Sequence, residues 1–494
     1  MSTDTLVSPA ASARPRAASG SALLALINRL HFYIGLFVGP FILVAAVTGT
    51  LFVLTPQLEN LIYADQLRTT STGTAQPLAA QVEAAQSQVG PGPRLFAVRP
   101  PPDPGETTRV MFTQPGMGDS EARALFVDPV TLKIQGDMVV YGTSGTLPFR
   151  TKLDYLHRNL MLGDLGRNYS ELAASWLWIA TLGGLVLWFA RRARDKAMEA
   201  RSPRLRARRW HGLLGLWIGI GLVFFSATGL TWSNWAGARV DQLRAQLGWI
   251  TPAVSLKLPA AGTPPAGTPA AGTPAAGSPA AGSPAASIAA MHEGGEHAHH
   301  HHGGQHDHAA MAPAPDNVPA GFDRVLQAAR QGGIDSSQLE IRPPRGAGQA
   351  WLVREVDRSW PTQVDTIAVD PATYAITSRA DFDTFPLIAK LIRWGVDMHM
   401  GILFGWPNQL LMAAIGLALT TMIVLGYRMW WLRRPAAGAA AQTLTHAWRD
   451  LSWPGRIGVA VIALALGWSL PVMGVSLAVF LVIDVLRWVA ARRA

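Results

Sequence analysis

Long apolar runs alternate with long polar segments along the chain, and this alternation predicts membrane-spanning helices. The first run, His31 to Phe52, is longer than the roughly 20 residues that a helix needs to cross a bilayer core of about 30 Å. Similar runs predict spans at 170–190, 210–233 and 409–432. A last apolar stretch, 457–489, is interrupted at Leu470-Pro471 and predicts a hairpin of two spans.

The apolar pattern also repeats. A shift of 180 residues places His31, Gly35, Gly39, Thr48 and Gly49 on His211, Gly215, Gly219, Thr228 and Gly229. A shift of 242 places His157, Trp188 and Val127-Asp128-Pro129 on His399, Trp430 and Val369-Asp370-Pro371. The two shifts differ by 62 residues, about the length of an Ala/Gly/Pro-rich and His-rich tract at 252–313. The sequence therefore predicts one unit that is duplicated, with a linker inserted into the second copy.

The two long polar segments predict similar small domains. In each, a short amphipathic helix, near 78–86 or 322–330, precedes short alternating runs such as Arg109–Phe112 and Trp351–Arg354. A helix followed by hairpin strands is typical of an α+β domain.

The predicted fold class is a membrane α-helical protein, with a duplicated four-helix transmembrane core, a C-terminal helical hairpin and two small α+β extracytoplasmic domains. The predicted order is a disordered cytoplasmic tail (1–28), span 1 (29–54), domain 1 (55–169), span 2 (170–190), a basic cytoplasmic loop (191–209), span 3 (210–233), domain 2 with its linker (234–408, linker 252–313), span 4 (409–432), a cytoplasmic loop (433–456) and the hairpin (457–489).

Charge sets the expected orientation. The chain has 494 residues, of which 49% are hydrophobic and only 15% charged, as expected for an integral membrane protein. Its net charge of +10 comes from basic residues beside the spans, so membrane topology explains it better than nucleic-acid binding. The loop 191–209 has nine Lys/Arg and two acidic residues, which places this loop and the N-terminus in the cytoplasm and both polar domains outside.

The chain contains no cysteine. Disulfides, zinc thiolate sites, iron–sulfur clusters and covalently attached c-type haem are therefore excluded from this chain. Any redox centre must use other ligands.

Four histidines occupy equivalent places near the ends of the predicted spans: His31, His157, His211 and His399. An imidazole in a bilayer needs a partner, a cavity or a cofactor, although interfacial histidines are an alternative. Both His31 and His211 are expected on the cytoplasmic side, and His157 and His399 on the outer side. Because two axial imidazole nitrogens on one metal lie only about 4 Å apart and a span measures about 30 Å, only same-side pairs are possible. Asp154 and Asp397 are candidate acceptors for the ring N–H groups.

Glycines follow both cytoplasmic histidines at the same spacing. Gly35 and Gly39 follow His31 at i+4 and i+8, and Gly215 and Gly219 follow His211 likewise. Such a flat helix face admits either a porphyrin or a neighbouring helix, and the sequence alone leaves both readings open.

The linker carries a second histidine group between Met291 and Met311. Flexible imidazoles of this kind bind zinc, copper or nickel, and the alternative is an inert linker. The candidate metal ligands are His292, His297, His299, His300, His301, His302, His306 and His308.

The doubled His-x3-Gly-x3-Gly pattern, the two Thr-Gly pairs, the paired His157 and His399 and the two Val-Asp-Pro motifs resemble the PepSY-associated transmembrane family. This family includes inner-membrane reductases that act on ferric siderophores. The resemblance covers about residues 25–435. It implies two bis-histidine haem b groups in a four-helix core, held by His31, His211, His157 and His399, and PepSY-like domains in the periplasm.

The predicted function is a multi-pass bacterial inner-membrane haem protein, a ferric-chelate (siderophore) reductase that passes electrons outward for iron acquisition. Expected partners are membrane lipid, a ferric chelate as acceptor and a cytoplasmic or quinol electron donor; no catalytic side chain is predicted beyond the haem ligands. Two alternatives stay open, a metal-ion transporter or sensor using the His-rich tract, and a non-enzymatic PepSY membrane protein that binds a partner. The span centres carry almost no acidic residues, which argues against cation transport.

Overall fold

The structure is a computed structural model and describes residues 19–118, 120–142, 144–196, 202–258, 318–433 and 442–493. Within these ranges, five helices are long and apolar enough to cross a membrane: Ala22–Val53, Gly163–Arg192, Pro203–Thr231, Gly405–Leu432 and Pro471–Arg493. A shorter apolar helix covers Trp453–Ser469. The protein is thus a helical membrane protein, and it also contains an antiparallel sheet.

The first span is not a uniform α-helix. It consists of α1 (Ser19–Tyr33), a π-helix (Ile34–Val38) and α2 (Gly39–Val53). The Gly39 N–H donates to the Ile34 carbonyl, which is the i to i−5 bond of a π-turn. Helix α1 begins ten residues before the predicted boundary at 29, because the run Ala-Leu-Leu-Ala-Leu-Ile at 22–27 favours helix.

The first polar segment contains four helices and four strands. In chain order they are α3 (Thr55–Ile62), α4 (Ala64–Leu67), α5 (Leu78–Val89), β1 (Arg94–Arg99), β2 (Thr108–Thr113), β3 (Glu121–Val127), β4 (Ile134–Tyr141) and α6 (Pro148–Asn159).

The remaining helices and strands run from residue 163 to residue 493. They are α7 (Gly163–Lys196), α8 (Pro203–Thr231), α9 (Trp235–Gln246), α10 (Val318–Gln331), β5 (Leu339–Arg342), β6 (Trp351–Glu355), β7 (Thr366–Val369), β8 (Ile376–Ala380), a 3₁₀ turn (Phe382–Thr384), α11 (Leu387–His399), α12 (Gly405–Arg433), α13 (Leu444–Arg449), α14 (Trp453–Ser469) and α15 (Pro471–Arg493).

The chain divides into two compact units. Unit 1 comprises the described residues within 1–44, 168–230 and 418–494, and unit 2 comprises those within 45–167 and 231–417. Unit 1 is helical, whereas unit 2 contains the sheet.

The two segments that the sequence analysis treats as separate domains share one sheet. Its eight antiparallel strands have the order β4-β3-β2-β1-β5-β6-β7-β8, and Val98 of β1 pairs with Ile341 of β5 at the seam. Helices α5 and α10 pack side by side over one face, where Val82 and Phe322 are completely buried. Because the apolar faces of both halves enter one core, neither half buries its strands alone.

A buried carboxylate lies at this seam. Glu340 is 1% exposed and forms ion pairs with Arg99 of β1 and with Arg342 and Arg354, at 2.7 to 2.8 Å. Burial alone would raise the pKa of Glu340, but the three guanidinium groups outweigh it and hold this pKa well below its usual range.

The repeated Val-Asp-Pro motifs form two equivalent hairpin turns. Asp128 Oδ1 accepts the amides of Val130 and Thr131, and Asp370 Oδ1 accepts those of Ala372 and Thr373. Each turn also contains a left-handed residue at the same place, Leu132 with φ 62° and Tyr374 with φ 58°. The motif is therefore explained by turn geometry.

The C-terminal helices of unit 1 contact the first span. Asp484 of α15 is completely buried and accepts hydrogen bonds from the Tyr33 hydroxyl and from the amides of Leu444 and Thr445. The helices α14 and α15 approach each other closely, since a Cβ at Gly474 would lie 2.6 Å from the Gly467 carbonyl oxygen.

Candidate functional site

The structure brings His31 and His211 together in unit 1. Their ring centroids are 6.1 Å apart and the ring planes are nearly perpendicular, at 85°. His31 Nδ1 lies 2.9 Å from the carbonyl oxygen of Ala180, and His211 Nδ1 lies 2.8 Å from that of Met422. Because a carbonyl oxygen can only accept, each Nδ1 carries the proton and each Nε2 keeps its lone pair. In this tautomer the Nε2 atom offers its lone pair, so a metal could bind there.

The two carbonyl acceptors are related by the same shift as the sequence repeat. Ala180 and Met422 are 242 residues apart, on α7 and α12. His31 is thus hydrogen-bonded by α7 and His211 by α12, at positions that the 242-residue shift makes equivalent.

A cavity of about 510 Å³ adjoins this histidine pair, within the size range of small-molecule and cofactor sites. Apolar side chains and glycines line most of it. Six arginines also line it: Arg29, Arg191, Arg192, Arg204, Arg208 and Arg209.

The glycines divide between the two readings that the sequence left open. Gly35, Gly39 and Gly215 line the cavity, and a Cβ at Gly35 would meet no atom within 4 Å. Gly219 instead packs against Leu185 and Thr181 at ordinary contact distances. Three of the four stripe glycines therefore border the cavity, but Gly39 and Gly215 also lie close to side chains of α12, since a Cβ at either would be 3.3 Å from the Tyr427 hydroxyl or from Met422 Sδ.

Two further glycines, which the sequence analysis did not single out, lie against the rings. A Cβ at Gly184 would lie 3.0 Å from His31 Cε1, and a Cβ at Gly426 would lie 3.8 Å from His211 Cε1. They too are 242 residues apart, so the repeat could have indicated them.

The structure also brings His157 and His399 together, in unit 2, with ring centroids 6.5 Å apart and planes at 66°. They lie at or near the C-terminal ends of the separate helices α6 and α11, before the spans. The Thr48 hydroxyl donates to the Ala45 carbonyl at 3.3 Å and lies 3.0 Å from His157 Nδ1, so it accepts from that nitrogen. The Trp232 ring lies 5.9 Å from the His399 ring.

Both of these imidazoles are neutral at physiological pH. Burial lowers the pKa of His157, against the opposing charge of Asp154. Burial also lowers the pKa of His399 to about 3, and His157 adds to the effect. Only the neutral imidazole offers a lone pair to a metal.

The two aspartates proposed as ring acceptors have other contacts. Asp397 pairs with Arg358, at 2.5 Å from its Nε, and with Arg393. Asp154 lies 3.8 Å from Arg158, and the side chain bonded to His157 is Thr48. At His157 a hydroxyl oxygen thus takes the place of the expected carboxylate, and His31 and His211, for which no carboxylate was expected, use backbone carbonyls.

Both pairs fit a group that needs two trans imidazoles. With about 2 Å for each metal–nitrogen bond and about 1 Å from nitrogen to ring centre, the centroids of such ligands lie about 6 Å apart. The observed spacings are 6.1 and 6.5 Å. Edge-to-face ring pairs have similar spacings. At the His31–His211 pair, the two Nδ1–H hydrogen bonds and the adjoining cavity are further features that suit a metal-containing group.

Among the described residues, the one other histidine, His446, does not join these pairs. His446 Nδ1 forms an exposed ion pair with Asp450 at 3.1 Å. The predicted metal ligands of the linker lie outside the described residues. Within the described part of the chain, no group of three or more His, Asp or Glu side chains is arranged to hold a metal ion.

The fold and site define a helical membrane protein with an antiparallel sheet and two internal histidine pairs. The family described as "PepSY-associated TM region" matches residues 28–433, and the chain therefore belongs to this family. Comparison with curated proteins found no match.

Proposed function

We propose that this protein is a haem-containing membrane oxidoreductase that passes electrons across the bacterial inner membrane and reduces a ferric siderophore or a related chelate. The observation that carries the proposal is the pairing of the four repeated histidines into two pairs with ring spacings of 6.1 and 6.5 Å. Each pair would supply the two imidazoles that hold a bis-histidine haem b, and the haem would supply one-electron chemistry.

The proposal includes the finer architecture. A duplicated four-helix core would hold the two groups, and the two halves of the sheet would be the two PepSY-like domains. The positive-inside pattern supports a cytoplasmic N-terminus and periplasmic PepSY-like domains. The constant 242-residue shift between the carbonyls of Ala180 and Met422 supports the duplication.

The residues have defined tasks. His31, His211, His157 and His399 would hold the groups. Their Nδ1–H donors are fixed by Ala180, Met422 and Thr48 for the first three, which sets the ring orientation and raises ligand basicity. Bound haem would supply one-electron chemistry at both sites. Reduction of Fe³⁺ to Fe²⁺ takes one electron, from a cytoplasmic or quinol donor, and lowers the affinity of an oxygen-donor chelate for the metal.

Haem content tests the proposal. The purified wild-type protein should show dithionite-reducible b-type bands with two haems per chain. His157→Ala or His399→Ala should remove one haem, His31→Ala or His211→Ala the other, and one substitution from each pair should remove both. His446→Ala is the matched control, because His446 pairs with the exposed Asp450, and it should keep both. A wild-type protein without b-type bands, or a ratio of two in the single variants, would overturn the proposal.

We also propose that the linker tract, including His292 and His297, captures Zn²⁺, Cu²⁺ or Ni²⁺ outside the membrane. The sequence supports this by placing eight histidines in an insertion that the first copy lacks. Deletion of residues 291–311 should lower the number of Zn²⁺ or Cu²⁺ ions bound at equilibrium dialysis and leave two haems. Loss of haem would instead make the tract part of the core.

A further inference from the structure

Arg150, near the start of α6, has two side-chain nitrogens that are buried without a hydrogen-bond partner. Its Nε and Nη2 are shielded from solvent, and neither has a hydrogen-bond partner. Its guanidinium carbon lies 4.8 Å from the centroid of the Phe52 ring. Burial lowers the pKa of Arg150, whereas the carboxylates of Glu59 and Asp154 raise it. A buried guanidinium with unused donors is costly unless an anion binds it.

The two unused nitrogens form one edge of the guanidinium. Nε–H and the adjacent Nη2–H point in parallel, which is the fork that binds both oxygens of a carboxylate. None of the ion pairs in the described part of the chain involves Arg150. Glu59 and Asp154 therefore act on this charge from more than the 4 Å of an ion pair, and their own Oε1 and Oδ2 are likewise buried without a hydrogen-bond partner, so they leave the fork open.

Arg150 shares a helix face with His157. The two residues are seven positions apart, which is two turns and about 10 Å along the axis of α6. Both contact α2: a Cβ at Gly49 would lie 3.1 Å from His157 Cε1, and Phe52 lies beneath Arg150. A group held by His157 against α2 would therefore extend toward Arg150 if its carboxylate lay about 10 Å from the metal.

We propose that Arg150 binds a carboxylate of the group held between His157 and His399, which for haem b is a propionate. This inference rests on the function proposed above. Arg150 then serves as a positioning residue: it fixes the rotation of the ring about the axis of the two imidazoles and places a positive charge beside it. The same contact favours the reduced state, because iron with one charge less is repelled less by the guanidinium.

Haem dimethyl ester, in which both carboxylates are blocked, provides the test. Full-length protein with His31→Ala, so that only the His157–His399 pair is complete, is stripped and reconstituted with haem b or with the ester. A charge-assisted bidentate contact predicts about 10- to 100-fold weaker binding of the ester. With Arg150→Gln added, the preference for haem b should fall by at least about tenfold, since a double-mutant cycle isolates this contact.

Two controls make the comparison specific. Lys152→Gln removes the same charge from an exposed position on the same helix and should keep the full preference. Arg150→Lys keeps the charge but not the fork and should show an intermediate preference. In protein with His31 intact, retention of the second haem shows that Arg150→Gln folds.

The reduction potential gives a second readout. Arg150→Gln should lower the midpoint potential of this haem, by about 59 mV for each tenfold change in the one-electron equilibrium, whereas Lys152→Gln should change it less. An unchanged preference together with an unchanged potential in Arg150→Gln would overturn the inference and leave the proposed function standing. Absence of haem from this pair in the parent protein would overturn both.

Discussion

His31 and His211 are fixed by carbonyl oxygens that a helix normally covers. In an α-helix the side chain of residue i+4 lies over the turn that contains residue i. Gly184 is residue i+4 to Ala180 and Gly426 is residue i+4 to Met422, so in both cases the missing side chain exposes the carbonyl to an imidazole from another helix. A glycine and the carbonyl four residues before it thus form the same imidazole-binding arrangement on α7 and on α12.

Gly184→Ala should selectively weaken the His31–His211 site. The new Cβ would lie 3.0 Å from His31 Cε1, which is closer than ordinary contact, so the ring must shift away from the Ala180 carbonyl. Overpacking of this kind costs about 1–3 kcal/mol, which predicts at least about fivefold weaker retention of the haem that we propose at this pair. The measurement is haem release to a competing acceptor, followed by absorption.

Gly183→Ala is the matched control, since its Cβ would meet only Ile27 Cγ2 at 3.4 Å. Equal haem release from the Gly183 and Gly184 variants would contradict the claim that Gly184 gives the His31 ring access to the Ala180 carbonyl.

At the scale of elements, the helices can be predicted from the sequence because each has a local apolar pattern. The helix expected near 78–86 is observed at Leu78–Val89, and the one near 322–330 at Val318–Gln331. The four histidines and their pairing follow from the repeat and from the length of a span. The repeat does not reveal the single sheet, because the pairing of Val98 with Ile341 joins residues 243 positions apart without a local signal. The π-turn at Ile34–Val38 has no pattern of its own either.

Glu340→Gln should destabilise the sheet at its seam by about 3–5 kcal/mol, because it leaves three guanidinium groups without their buried carboxylate. The expected result is a lower apparent Tm and faster amide exchange in β1, β5 and β6. Since the pKa of Glu340 is depressed on folding, its contribution is present above about pH 4.3, where an unfolded glutamate is ionised, and is lost only as the pH falls further.

Asp137→Asn provides the comparison for this effect. Asp137 pairs with Arg123 on the open edge of the sheet, where the side chains are 39% and 28% exposed, so its loss should cost about 0–1 kcal/mol. Similar shifts in Tm for the Glu340 and Asp137 variants would mean that the seam does not depend on its ion pairs.

At the scale of the whole molecule, the family match ends at residue 433, and the chain continues with α13, α14 and α15. Within unit 1 this extension is tied to the first span by Asp484, which accepts from Tyr33, and to α7 by Ser476, which accepts from Trp176 Nε1 at 2.8 Å. Tyr33 is two residues after His31. The extension therefore stabilises the part of α1 that carries His31.

Asp484→Asn should weaken the contact between the C-terminal extension and α1 without changing the shape of the side chain. The carboxylate accepts the Tyr33 hydroxyl, the amides of Leu444 and Thr445 and the Thr445 hydroxyl, at 2.7 to 2.9 Å. A carboxamide retains one acceptor oxygen and turns an NH₂ group toward the two donors of Thr445, which leaves a buried donor unsatisfied.

The expected cost in stability is about 1–3 kcal/mol. On heating, the haem proposed at the His31–His211 pair should be lost earlier than in the wild type. The haem proposed at the His157–His399 pair in the same sample is the internal reference. If Asp484→Asn released both haems together, or released neither earlier than the wild type, the extension would not act through α1 on His31.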